Sequence, residues 1–95
     1  MSGWVYITAS RKHGTLYVGV TNDLARRIHE HRERSPGSFT ARYGVTRLVW
    51  YEPYATMPDA IVREKAIKRW PRAWKVQLVE GMNPEWSDLY DSLNM

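Results

Sequence analysis

Two tyrosines, an arginine, a histidine and a glutamate carry the chemistry open to this chain. Tyr6 lies in Trp4-Val5-Tyr6-Ile7 and Tyr17 in Leu16-Tyr17-Val18-Gly19-Val20. Arg27 and His31 fall four residues apart in the run from Thr21 to His31, and Glu64 stands in Arg63-Glu64-Lys65. A guanidinium is the natural bidentate partner of a phosphate. An imidazole changes charge near neutral pH, and phenols donate and accept protons. A lone carboxylate suits a hard cation such as Mg²⁺, which keeps most of its waters and takes phosphate oxygens. Together these groups point to a phosphodiester, whose hydrolysis needs a nucleophile, charge neutralisation and a stabilised leaving oxygen.

Strands and helices must position them. Residues 4–9 and 15–20 form two strands joined by Arg11-Lys12-His13-Gly14, with Gly14 supplying the turn's freedom. Asn22 or Thr21 caps a helix over about 23–34, which Ser35-Pro36-Gly37 stops. Residues 46–54 form a third strand. Thr56-Met57-Pro58-Asp59 opens a helix over about 58–70, with proline in its first turn. Pro71 breaks it and opens another helix that ends near Gly81; Asn83-Pro84-Glu85 caps a last short one to about Leu93. The order ββαβααα implies one α+β domain over residues 1–95, a small, mostly antiparallel sheet with helices packed on it.

Periodicity then sorts the side chains. Strand alternation makes Val5 and Ile7 one core set and Leu16, Val18 and Val20 another. Tyr6 and Tyr17 are thereby sent to a shared non-core face, where Gly19 leaves room for a substrate backbone. The alternative is that both are ordinary cross-strand partners. On the first helix Leu24 and Ile28 mark the buried stripe, His31 projects with them and Arg27 sits at its edge. Arg27 and His31 are an i, i+4 pair, so their side chains can converge. Arg26, His29 and Arg32 face water. On the helix at 58–70, Met57, Ala60, Ile61 and Ile67 set the apolar stripe, and Glu64 falls in its middle. A carboxylate there is either paired, with Arg27 as a candidate, or binds a metal. Arg63, Lys65, Lys68 and Arg69 form a basic outer surface.

Composition bounds the rest. The chain has 95 residues, no cysteine, five Trp, six Tyr and a net charge of +4. The aromatics help a short chain build a core. The absence of cysteine excludes disulfides and Cys-based zinc sites and fits a reducing compartment. The N-terminal residues have neither the basic nor the apolar region of a secretory signal. No run approaches the roughly 20 apolar residues that span a bilayer. A soluble, cytoplasmic protein without membrane contact is expected. A pI of about 9.6 is compatible with a polyanionic partner, most often nucleic acid.

The two tyrosine segments, Arg27 ten residues after Tyr17, His31 one turn on and a helical Glu64 resemble the GIY-YIG nuclease domain. Val5-Tyr6-Ile7 stands where the family has its Gly-Ile-Tyr segment, and Tyr17-Val18-Gly19 stands for Tyr-Ile-Gly. The likeness runs from Trp4 to about Tyr90. It is closest to small stand-alone bacterial GIY-YIG proteins described as predicted endonucleases, to which Lys68-Arg69-Trp70 and Arg72-Ala73-Trp74-Lys75 also point. More distant relatives act in DNA repair and recombination, in bacterial excision repair and phage homing. The resemblance implies a three-stranded antiparallel sheet flanked by helices, and catalysis with one divalent ion, Mg²⁺ or Mn²⁺. It implies that Tyr6 is the general base or orients the attacking water, and that Tyr17 binds the scissile phosphate or the water. By the same likeness Arg27 stabilises the developing charge, His31 assists proton transfer or positions Tyr6, and Glu64 holds the metal. A free phenol has a pKa of about 10, and a neighbouring cation is expected to favour its phenolate. The chain departs from the family at Trp4, at Val20, and in lacking an Asn between Lys65 and Met82; Asn83 is expected to cap a helix.

The expected activity is endonucleolytic hydrolysis of DNA, with branched, damaged and single-stranded forms as candidate substrates. Arg26, Arg63, Lys65, Lys68 and Arg69 are the expected nucleic-acid contacts. A non-catalytic nucleic-acid-binding module is the alternative. So small a domain has little surface for reading bases: either it is poorly specific, or a homodimer or a partner protein supplies the specificity.

Overall fold

Three strands pair in the order β2-β1-β3, antiparallel throughout: β1 is Gly3–Ala9, β2 Leu16–Thr21 and β3 Arg47–Tyr54. Around them lie α1 (Leu24–Arg32), α2 (Met57–Arg69), α3 (Arg72–Met82) and a 3-10 turn at Asp91–Asn94. This is a computed structural model, and it describes residues 2–33 and 44–94. The fold is the expected α+β arrangement and keeps the expected order up to its last element. The expected stop at Ser35-Pro36-Gly37 lies outside the described residues.

Local chemistry explains the element ends. Asp23, not Asn22 or Thr21, caps α1, accepting from the Arg26 N–H. Thr21 acts one step earlier, where its hydroxyl accepts from the Asp23 N–H. Thr56 caps α2 by accepting from Asp59, with proline in the first turn as expected. Pro71 separates α2 from α3. In the β1–β2 connection the left-handed residue is His13, with φ of 59°, rather than Gly14. Gly14 is needed for space, because a Cβ there would lie 2.3 Å from Ser10 Oγ and 2.8 Å from Arg11 Cγ.

Both faces of the sheet are buried. Val5, Ile7, Ala9 and Val18 pack with Ala60 and Ile67 of α2, Val79 of α3 and Trp86, and Leu16 and Val20 lie against the same layer. The opposite face is also core: Tyr6 packs with Leu24, Ile28 and Leu48, bordered by Trp4, Tyr17, Tyr51, Leu89, Tyr90 and Leu93. The expected non-core face is therefore a second hydrophobic layer roofed by α1. Tyr6 retains only 1% of its exposure.

The expected helix from Asn83 does not form. Asn83 ends α3, and its side chain donates to the carbonyls of Val49 and Ser87 while accepting from the Ser87 N–H. Side chains that bond the backbone in this way offer it an alternative to the helix. Trp86 comes next, with φ of 57° and no exposure, its indole donating to Glu80. The segment then runs beside β3: Leu89 N–H donates to Leu48 O, and Asp88 accepts from Leu48 N–H.

Candidate active site

Three rings gather under α1. Tyr6 and Tyr17 centroids are 6.4 Å apart, Tyr6 and His31 5.9 Å, and Tyr17 and His31 5.8 Å. The register explains it. Tyr6 pairs with Gly19 and Thr8 with Tyr17, so both phenols rise from one face on adjacent strands. The absent Gly19 side chain leaves its space to the Tyr6 ring, not to a substrate: a Cβ there would lie 2.4 Å from Tyr6 Cζ and hydroxyl. His31, one turn after Arg27, drops from α1 onto the pair, and its Nε2 is 3.0 Å from the Tyr6 hydroxyl. Periodicity placed His31 on the buried stripe, and it is 7% exposed.

Burial governs the electrostatics. The Tyr6 phenol is pushed up to about 12, burial outweighing a hydrogen bond from Arg27 and its charge. The cation that was expected to favour the phenolate is present and loses to desolvation. His31 is lowered from the ordinary histidine value, first by burial and then by the Arg27 charge. Arg27 is held more firmly protonated, chiefly by its hydrogen bond to Tyr6. At neutral pH the trio is a neutral phenol, a neutral imidazole and a guanidinium.

Glu64 comes from the other layer. It lies on the α2 stripe with Ala60 and Ile67, is 8% exposed and salt-bridges Lys68 Nζ at 2.8 Å, not Arg27. Its charge is felt at Tyr6, where it opposes the phenolate. The structure thus gathers Tyr6, Tyr17, Arg27 and His31 on the α1 side, with Glu64 reaching their field from the α2 side. The described residues hold no cluster of three His, Cys, Asp or Glu side chains able to cage a metal. A single carboxylate that shares its substrate's oxygens is the donor set a hydrated Mg²⁺ accepts. Glu64 is the carboxylate on the α2 side that would fit such a donor set, with one of its oxygens already paired to Lys68.

Beside this cluster is an open groove of about 380 Å³, bordered by Val20, Thr21, Asp23, Arg26, Arg27 and Met57 among others. Glu30, not singled out in the sequence, also lines it and stands 3.6 Å from Arg26 and 3.5 Å from Arg27. Its spacing of three and four residues from the two arginines is the signal that could have found it. The basic outer surface is less uniform than expected. Arg63 is committed to Glu52 at 3.2 Å and lies over the Trp70 ring. Lys68 holds Glu64, whereas Lys65 and Arg69 are exposed.

A model of the GIY-YIG catalytic domain matches residues 2–77. The chain belongs to the GIY-YIG family. Within it, the chain is similar to UPF0213 proteins. That of Clostridium perfringens is 30% identical over 97% of this chain and 98% of its own length. The UPF0213 protein of Desulfotalea psychrophila is 35% identical over 92% of this chain and 80% of its own. The solution NMR structure of a UPF0213 protein from Bacillus halodurans aligns with a TM-score of 0.57 at 31% identity, covering 93% of both chains. The GIY-YIG match takes in all five residues of the candidate site, and the GIY-YIG domain is a nuclease family.

Proposed function

We propose that this chain is a divalent-metal-dependent endonuclease that hydrolyses phosphodiester bonds in DNA. The observation that carries the reading is the Tyr6–His31 pair, a buried phenol 3.0 Å from a neutral imidazole with a guanidinium beside it. Burial makes Tyr6 too weak an acid to act as a resting phenolate. It acts instead as a relay. As the attacking water oxygen bonds to phosphorus, the water's proton passes to the Tyr6 oxygen and the Tyr6 proton passes to His31 Nε2. The P–O bond to the leaving oxygen breaks, and that oxygen takes a proton from solvent. Arg27 neutralises the charge growing on the phosphoryl oxygens, and the Tyr17 hydroxyl hydrogen-bonds one of them. Glu64 would hold Mg²⁺ or Mn²⁺, which would supply Lewis acidity and a more acidic water.

The test is a nicking assay on supercoiled, branched and single-stranded DNA, with and without Mg²⁺ or Mn²⁺. Wild type is expected to cut only with the ion. Glu64→Gln keeps the shape of the buried side chain and removes its charge, and it is expected to abolish cutting by protein that thermal melts show to be folded. Cutting by Glu64→Gln in proportion to folded protein would leave Glu64 a structural residue. A non-catalytic binder would show retention of DNA and no scission under any condition.

A further inference from the structure

The corner between α2 and α3 carries an aromatic ledge that the catalytic reading does not use. Trp74 is among the few large apolar side chains on the surface, 54% exposed, although tryptophan is normally buried. Its ring meets that of Trp70 edge-on at 5.9 Å. The two rings, with Gln77 and Leu78, line an open cleft of about 380 Å³. An exposed indole of this size is costly in water unless something covers it.

The surrounding charge identifies the occupant. Between residues 63 and 75 there are six Lys or Arg residues, and the one acid, Glu64, is buried against Lys68. Arg63 lies over the Trp70 ring at 5.1 Å, and the same ring packs against the core, so Trp70 is held in place. Lys75 closes the end of α2 by donating to the Lys68 carbonyl. Exposed Arg69 directly precedes the ledge. A flat aromatic surface within a cationic field suits a nucleic-acid base whose own face is free. Duplex bases, already stacked on their neighbours, cannot offer that face. An acidic peptide would meet the charge but gives no reason for an indole face open to solvent.

Trp70 directly follows the last residue of α2, six positions after Glu64 and about 9 Å along the axis. We propose that Trp74, buttressed by Trp70, forms a stacking site for unpaired bases, which directs the protein to single-stranded or branched nucleic acid. This rests on the reading above only in taking nucleic acid as the substrate, and its test needs no cleavage.

Binding of a fluorescently labelled thymidine 20-mer and of a matched duplex would be measured in EDTA at low salt. Trp74→Ala is expected to weaken single-strand binding about tenfold, within the range that stacking on an aromatic ring contributes, and to leave duplex binding unchanged. Trp74→Phe is expected to recover most of the loss. Equal loss on both substrates, or no loss on the single strand, would overturn the proposal. So would a wild-type dimer that becomes monomeric in Trp74→Ala, since a second copy would then be what covers the ledge. Thermal melts establish that each variant is folded. A protein that binds single strands through Trp74 yet never cuts would sink the nuclease reading and leave this one standing.

Discussion

At the scale of single residues, the site depends on a missing side chain and a mismatch of polarity. Gly19 exists so that Tyr6 can lie flat across β2. Gly19→Ala is expected to lower stability by about 2 kcal/mol, the usual range for overpacking a core, and to pull the phenol off His31. Urea denaturation reads the first effect and the nicking assay the second. Tyr6→Phe leaves the ring and removes the hydroxyl, so it is expected to cost about 1 kcal/mol while abolishing scission. His31 adds a pH dependence of definite sign. Its folded pKa lies below its ordinary 6.5, so the folded state resists protonation and the unfolded state does not. Stability is full above 6.5 and falls as pH drops from there through the lower folded value. His31→Gln is expected to flatten that part of a melting-temperature profile, the fall below 6.5. Scission is expected to fail over the same acid range, because a protonated imidazole cannot accept the Tyr6 proton.

At the scale of elements, side chains at the ends of helices join the layers. Arg72, at the start of α3, donates to the carbonyls of His13 and Gly14 and so ties the β1–β2 turn to the helical layer. Asn83, at the other end of α3, has a larger part. β3 carries an irregularity opposite Ile7 and Thr8, where Trp50 and Leu48 are the partners and Val49 is passed over. The Val49 carbonyl is taken by the Asn83 amide at 3.1 Å. Asn83→Ala leaves that buried carbonyl unpaired and loses two further bonds to Ser87. It is expected to cost about 2–3 kcal/mol, measured by urea denaturation, and to loosen the C-terminal segment that packs against Tyr6's layer.

At the scale of the molecule, the two sheet edges are treated differently. The outer edge of β3 meets Asp88 and Leu89, and Arg32 bridges α1 to Asp88 while lying over the Tyr90 ring. Among the described residues β2 pairs only with β1, and the groove bordered by Arg26, Arg27 and Met57 opens along it. An unpaired edge is normally a liability; the groove beside this one lies between Arg26 and Arg27 of α1 and Met57 of α2. DNA affinity is expected to fall linearly on a log–log plot against salt, with a slope of about −0.9 for each phosphate neutralised. Lys65→Ala and Arg69→Ala are expected to reduce that slope without moving the melt. Arg63→Ala is expected to do the reverse, lowering stability by under about 1 kcal/mol, since its pair with Glu52 is partly solvated. Filter binding at several salt concentrations, beside thermal melts, separates the two kinds of cation.

Alternation and helical phase were enough to pair Tyr6 with Tyr17, to bury Leu24, Ile28 and His31 together, and to set Glu64 on the inner stripe of α2. Those are local periodicities of about 2 and 3.6 residues, and they survive folding because each element is buried on a defined face. Proline and threonine likewise marked the start of α2 and its break from α3. Other matters lay beyond any local signal. α1 roofs the tyrosine face, which makes it a core layer and raises the Tyr6 phenol where a nearby cation alone would have lowered it. The space over Gly19 belongs to a ring from the neighbouring strand. Lys68, not Arg27, meets Glu64, because α1 and α2 approach from opposite layers. Asn83 and Trp86 turn the chain away from a helix through contacts with β3 and α3. Each of these is settled by which distant segment fills the space beside a residue, and that depends on the packing of the layers rather than on the spacing of residues along the chain.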